Sequence, residues 1–181
     1  MIAIMSDALA LLFEAAEQRL VEVGTRLFHS GDTVRHMFLV VAGGVNLTRV
    51  TGAGAPVVQQ RARPGMVLAE ASAYSRTYHC DAHAVKDALV RAIPVGTFRA
   101  RLASDPALAD GWAAHLAQAV QSARLRAEIR TLRTVAERLD AWLEEGRTLP
   151  AKGLWQDLAA ELGVSREALY RELSRRRISR S

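Results

Sequence analysis

The sequence predicts an α+β protein: an antiparallel β-barrel in front, one long helix, and a helix-turn-helix domain at the end. Three observations carry this reading. Short apolar runs broken by glycines fill the stretch from about Thr25 to Pro94. An apolar spacing of three and four residues follows, rich in Ala, Leu, Arg and Glu. Near the end, a glycine-centred turn separates two short amphipathic stretches.

The barrel is read from its punctuation. Phe38-Leu39-Val40-Val41 runs into Gly43-Gly44, and Val45-Asn46-Leu47-Thr48 alternates after it. Gly52 and Gly54 come next, then Val57-Val58, then Pro64-Gly65. Brief strands at such spacing suit a barrel or sandwich of jelly-roll type. Ahead of them, Asp7 is placed to cap a helix over residues 8–18. In His79-Cys80-Asp81-Ala82-His83, strand alternation sends Cys80 inward with Ala82 and Ala84, and His79, Asp81 and His83 outward.

Asp105-Pro106 reads as a helix start, because proline suits the first helical position. Leu108, Trp112, Leu116, Ala119, Ala123 and Ala127 then form one continuous apolar stripe. A small barrel cannot cover a stripe this long, so pairing with a second copy is expected. The expected organisation is a sensory barrel over residues 1–103, a dimerisation helix over 104–133 and a helix-turn-helix domain over 134–181.

The last domain follows the breaker at residues 146–150. Leu154 to Leu162 reads as a short amphipathic helix, Gly163-Val164 as a tight turn, and Ser165 as the cap of a second helix. Ala159 lets the two helices cross closely, and Gly163 takes the left-handed conformation that a side chain resists. Leu158, Leu162, Val164 and Leu169 supply a small shared core. The exposed face of the second helix then carries Arg166, Glu167, Tyr170, Arg171 and Arg175. Arginine can take guanine bidentately and glutamate can accept from cytosine, so double-stranded DNA is the expected partner.

Charge agrees with this. The 181 residues hold 24 Lys and Arg against 19 Asp and Glu, a formal net charge of +5. From Val164 to Ser181 six arginines face Glu167 and Glu172 alone. A single cysteine, Cys80, excludes a disulfide within the chain and suits a reducing compartment. No apolar run approaches the roughly 20 residues that span a bilayer. The start, MIAIMSDALALL, lacks the basic region of a signal peptide, so a cytoplasmic protein without membrane partners is expected.

Ser165-Arg166-Glu167-x-x-x-Arg171 resembles the recognition helix of the CRP/FNR family of transcriptional regulators. The order of the whole chain is similar too: a cyclic-nucleotide-binding-like barrel, a long dimerisation helix and a DNA-binding domain. The barrel resemblance rests on Gly31-Asp32 in a turn, Phe38-Leu39-Val40-Val41-Ala42-Gly43, and Pro64-Gly65 followed by Glu70. Thr134-Val135-Ala136-Glu137-Arg138-Leu139 resembles the family's link to the DNA-binding domain. The resemblance implies that Arg166, Glu167 and Arg171 contact base edges and that Ser165 contacts phosphate. It also implies a homodimer on an inverted repeat, with recognition helices roughly 34 Å apart. RNA polymerase is the further partner expected of such a regulator.

Two departures from the family pattern stand out. Cyclic-AMP binders hold the ribose with a glutamate, here Glu70, and the cyclic phosphate with an Arg-Ser or Arg-Thr pair. Counting back along Cys80, Ala82 and Ala84, that pair falls on Tyr78-His79; Arg76-Thr77 fits only after a two-residue slip. A buried phosphate needs a fixed cation, so cyclic-nucleotide binding is not expected. The effector pocket is therefore drawn around Glu70, Tyr78, His79 and Cys80 with its ligand unnamed, and no cofactor is expected. The second departure is at the end: family members add a β-hairpin wing, whereas Arg175-Arg176-Arg177-Ile178-Ser179-Arg180-Ser181 finishes this sequence. Arg177 and its neighbours are expected to add phosphate attraction that is independent of sequence.

Other readings compete. The His79-Cys80-Asp81-His83 segment could serve a metal- or redox-responsive regulator, although Cys80 faces away from the two histidines and no further ligand is evident. His115 reads as an interface or surface residue, and His29 and His36 have no assignable partners. Trp112, Trp142 and Trp155 read as core. A cupin-type enzyme would need two histidines and a glutamate turned inward from adjacent strands, and no nucleophile–base pairing is evident. The protein is therefore expected not to be an enzyme. The remaining alternative is a dimeric scaffold that binds DNA through charge alone.

Overall fold

The computed structural model describes residues 10–50, 52 and 56–178. The chain forms two compact units, residues 1–116 and 117–181.

The first unit is built on six strands: β1 (Glu17–Val21), β2 (Arg26–Phe28), β3 (His36–Val50), β4 (Pro56–Ala62), β5 (Val67–Leu68) and β6 (Asp81–Pro94). Every pairing is antiparallel. The sheet runs β1-β6-β3-β4, with β2 also on β6 and β5 also on β3. The brief strands expected on either side of Gly43-Gly44 are one strand of 15 residues. Its register against β6 shifts at Val40/Ala42, Ala42/Gly44 and Gly44/Val45, so bulges bend the strand where the glycines seemed to end it.

The helix expected over residues 8–18 is corrected in its second half. Residues 10–12 are helical, residues 13–15 turn, and Glu17 already belongs to β1. The backbone from Glu17 to Val21 is instead paired with residues 88–92 of β6. Asp7 and residues 8 and 9 lie outside the described residues.

Inside the barrel, Phe28, Phe38, Val40, Val45, Leu47, Tyr78, Cys80, Ala82 and Val90 pack together. Cys80, Ala82 and Ala84 are buried in alternation, as the sequence indicated. A second cluster includes Leu12, Phe13, Met37, Leu39, Val67, Phe98, Leu108 and Trp112. It brings together Leu12 and Phe13, helix α1 (Val95–Ser104) and the first turns of helix α2 (Pro106–Thr131). Asp105 caps α2 by accepting from the amides of Ala107 and Leu108. Along the expected stripe Leu108 and Trp112 are buried, whereas Ala123 and Ala127 are exposed and Val120 keeps 49% of its surface in solvent.

The second unit holds the end of α2, then α3 (Val135–Glu144), α4 (Trp155–Leu162) and α5 (Arg166–Ile178). Its core joins Ile129, Leu139, Trp142, Trp155, Leu158, Ala159, Leu162, Leu169 and Leu173. All three tryptophans are buried, as expected. No described helix is long and apolar enough to cross a membrane.

Candidate nucleic-acid interface

Helices α4 and α5 meet through a turn of the expected kind. Gly163 sits at φ 67°, ψ 38°, the left-handed conformation. The amide of Val164 donates back to Ala159 O at 2.9 Å, closing the end of α4. Ser165 Oγ then accepts from the amide of Ala168 at 3.1 Å and caps α5. Leu169 and Leu173 point into the core, which leaves the opposite side of α5 in solvent.

That side gathers most of the residues singled out by sequence. Ser165, Arg166, Glu167 and Arg171 are exposed, and Tyr170 is half-buried. Tyr170 stands edge-on to Trp155 with ring centroids 4.8 Å apart, and the Arg166 guanidinium lies 5.2 Å above the Tyr170 ring. Arg166 is thus held outward on an aromatic support rather than waving freely. The Glu167 carboxyl is pulled below its ordinary value by a hydrogen bond from its own backbone amide and another from the Ser165 hydroxyl. It is a fixed anion at the helix start, where the dipole favours one.

Arg175 is differently occupied. It grips Glu172 with Nε at 3.0 Å and Nη2 at 2.9 Å. Glu172 also accepts from Arg176 Nε at 2.6 Å, and Arg176 reaches on to Asp140 and to Ala136 O. These arginines hold the Glu172 carboxyl below its ordinary range. Arg177 falls within α5, but its side chain and residues 179–181 lie outside the described residues.

The segment from Thr134 to Leu139, quoted above for its resemblance to the family's link, gains physical roles here. Thr134 and Glu137 form a capping box on α3: the Glu137 amide donates to Thr134 Oγ1 at 3.1 Å, and the Thr134 amide donates to Glu137 Oε2 at 2.9 Å. The T-x-x-E spacing was a readable signal. Arg130 and Arg138 donate to backbone carbonyls around the turn.

Of the four residues drawn around an effector pocket, Tyr78 lines a cavity, and Glu70 is near enough to Cys80 for its charge to push the thiol up. Glu70 opens a short 3-10 turn, Glu70–Tyr74, behind Ala69 at φ 48°. Tyr78 lies flat against Phe28, with centroids 3.8 Å apart and planes 11° apart, and its hydroxyl donates to His36 O. Its ring thus fills the barrel interior. His79 is exposed, 3.2 Å from Ser75 Oγ, while Cys80 is buried. A cavity of about 530 Å³ is lined by Arg19, Phe28, Asp32, Arg35, His36 and Tyr78, among others. Glu70, His79 and Cys80 take no part in it.

The histidine cluster also disperses. Asp81 accepts from the Ser30 amide at 2.7 Å and stands 3.7 Å from Arg26. Among the described residues, no group of three His, Cys, Asp or Glu side chains could hold a metal ion. His115, expected at an interface or on the surface, is half-buried and stacked on Trp112 at 5.2 Å. Burial pushes its imidazole below its ordinary pKa. His29 has Asp32 as a neighbour, and His36 has Arg19 at 3.5 Å.

Residues 18–105 match the cyclic nucleotide-binding domain family. FixK2 from Bradyrhizobium japonicum is similar in structure over 91% of this chain and 85% of its own, at 20% identity and a TM-score of 0.70. The catabolite activator protein of Thermus thermophilus is similar over 93% and 81%, at 24% identity and a TM-score of 0.57. A Silicibacter pomeroyi protein described as a cAMP-binding regulatory protein is 28% identical, with 91% and 77% covered and a TM-score of 0.61. No curated protein matches the chain in sequence. In fold the chain is similar to these structures, an antiparallel sheet of jelly-roll type followed by helices.

Within residues 18–105, Tyr78 is buried and His79 exposed.

Proposed function

We propose that the protein is a DNA-binding transcriptional regulator that acts as a homodimer on an inverted repeat. The carrying observation is the Ser165-capped start of α5, which presents Arg166, Glu167, Tyr170 and Arg171 on one exposed side. In this reading Arg166, Glu167 and Arg171 read base edges, Ser165 meets phosphate, and Arg175 and Arg177 strengthen attachment through charge. The exposed Val120, Ala123 and Ala127 support pairing of two copies along residues 104–133. Residues 1–103 then act as the sensory domain and 134–181 as the DNA-binding domain, in the cytoplasm and in partnership with RNA polymerase. In this reading the effector is not a cyclic nucleotide, since the family's phosphate-holding pair falls on Tyr78-His79 and reaches Arg76-Thr77 only through a two-residue slip. No catalytic role is proposed.

The test is selection from a randomised DNA pool at near-physiological salt. An inverted repeat with half-sites about one helical turn apart supports the reading. Retention without a motif, vanishing as salt rises, would leave only charge-driven attachment.

A further inference from the structure

Two arginines of the second unit converge on one short stretch of backbone. The guanidinium of Arg138, in α3, donates to four carbonyl oxygens. Nε reaches Leu132 O at 2.9 Å and Nη2 reaches Arg130 O at 3.1 Å, both where α2 ends. Nη1 reaches Leu162 O at 3.1 Å and Gly163 O at 2.9 Å, in the turn ahead of α5. Arg130, in the last turn of α2, donates to Ala160 O at 3.1 Å. Its Cγ lies 3.0 Å from where a Cβ on Gly163 would stand, so its stem covers the glycine.

The last carbonyls of a helix have no partner within it and carry the negative end of its dipole. Here one cation serves the ends of two helices, α2 and α4. Only a planar fork of five N–H groups can do so; an ammonium is a compact point charge. The first turn of α3, which carries Arg138, is itself fixed by the Thr134–Glu137 capping box. Three helix termini therefore meet at one side chain.

We propose that Arg138, assisted by Arg130, is the positioning residue that makes the end of the long helix and the turn before α5 move as one body. A displacement of α2 then reaches the base-reading side of α5 without slack. This rests on the DNA reading above, so its test includes a readout that needs no DNA.

Arg138→Met, Arg138→Lys and Arg130→Met are compared with the unaltered protein by amide hydrogen exchange and by DNA binding. Arg138→Met is expected to speed exchange about tenfold or more at both residues 130–133 and residues 163–169, with the barrel amides unchanged. Arg138→Lys restores part of that protection, and Arg130→Met affects the turn alone. On a selected operator Arg138→Met binds roughly 10- to 100-fold more weakly, while random DNA is bound within about twofold of normal, because no phosphate contact is lost. Unchanged exchange at either segment overturns the proposal, as does full recovery with lysine. Equal losses on operator and random DNA overturn it too. If Arg138→Met unfolds the domain, Arg130→Met decides: faster exchange at the turn supports the clamp, and none overturns it. Coupled exchange in a protein that selects no operator would uphold the clamp and remove the DNA reading instead.

Discussion

A Cβ on Gly43 would run into the carbonyl oxygen of Asp87 and stand 2.6 Å from the Cα of Ala88. The two strands approach this closely because Gly43 sits at φ 80° within the bulged stretch of β3. Gly43→Ala must both push backbone from backbone and hold alanine in the left-handed region. A loss of about 3 kcal/mol or more is expected, as a lower urea midpoint. An unchanged midpoint would mean that the bulge is not as tight as described.

The capping box on α3 predicts a smaller effect with a pH signature. Thr134→Ala should cost about 1 kcal/mol. Hydrogen bonds from the Thr134 amide and hydroxyl hold the Glu137 carboxyl below its ordinary pKa. A depressed folded pKa gives stability that is present above the unfolded value and lost as pH falls through the folded one. Glu137→Gln should therefore lose less stability on acidification than the unaltered protein, followed by denaturant titration between about pH 6 and pH 3.

His115 predicts a different window. Its imidazole is depressed by burial against Trp112, so the unfolded chain takes up the proton first. The stability that its neutral ring gives is present above about pH 6.5 and lost as pH falls toward its folded pKa. His115→Phe keeps an aromatic ring on Trp112 and should flatten that part of the profile. A ring proton titrating in NMR at or above the ordinary histidine value would contradict the burial.

Cys80 should be sluggish toward alkylating reagents. Burial pushes its thiol up, and the charges of Asp81 and Glu70 push it further the same way. Iodoacetamide labelling of the folded protein should be at least about tenfold slower than after unfolding, because only the thiolate reacts. Labelling at equal rates would revive a redox role for this segment.

On DNA, the arginines of α5 should separate into classes. Arg166→Ala should cost roughly 1–3 kcal/mol and relax preference at one base pair. Arg175→Ala should cost less, since its guanidinium is already committed to Glu172. Arg177→Ala should weaken all sequences about equally and reduce the salt slope. Identical effects of Arg166→Ala on operator and random DNA would refute its place in base reading.

What the sequence disclosed was what neighbours in sequence decide. Gly163, Ser165 and Leu169 lie within one turn and its following helix, so spacing alone announced them. The alternation of Cys80, Ala82 and Ala84 was legible for the same reason. The 15-residue strand was not, because glycines that mark a bulge look like glycines that mark a loop. Nor was the start of β1, whose partner is some 70 residues away in β6. Arg138 was quoted only as part of the link, and its role was not legible: its acceptors are carbonyls, which every residue has and no letter of the sequence identifies.

Tyr78 and Phe28 lie face to face inside the barrel, so the space that their rings occupy is taken by the chain itself. A small molecule seeking that space would first have to evict a ring and then replace its packing. Control by a diffusible signal is thereby made expensive at this position. Control by abundance is not. If two copies join along the open flank of the long helix, the law of mass action makes DNA occupancy rise with the square of expression at low concentration. The amount of polypeptide would then itself be the message.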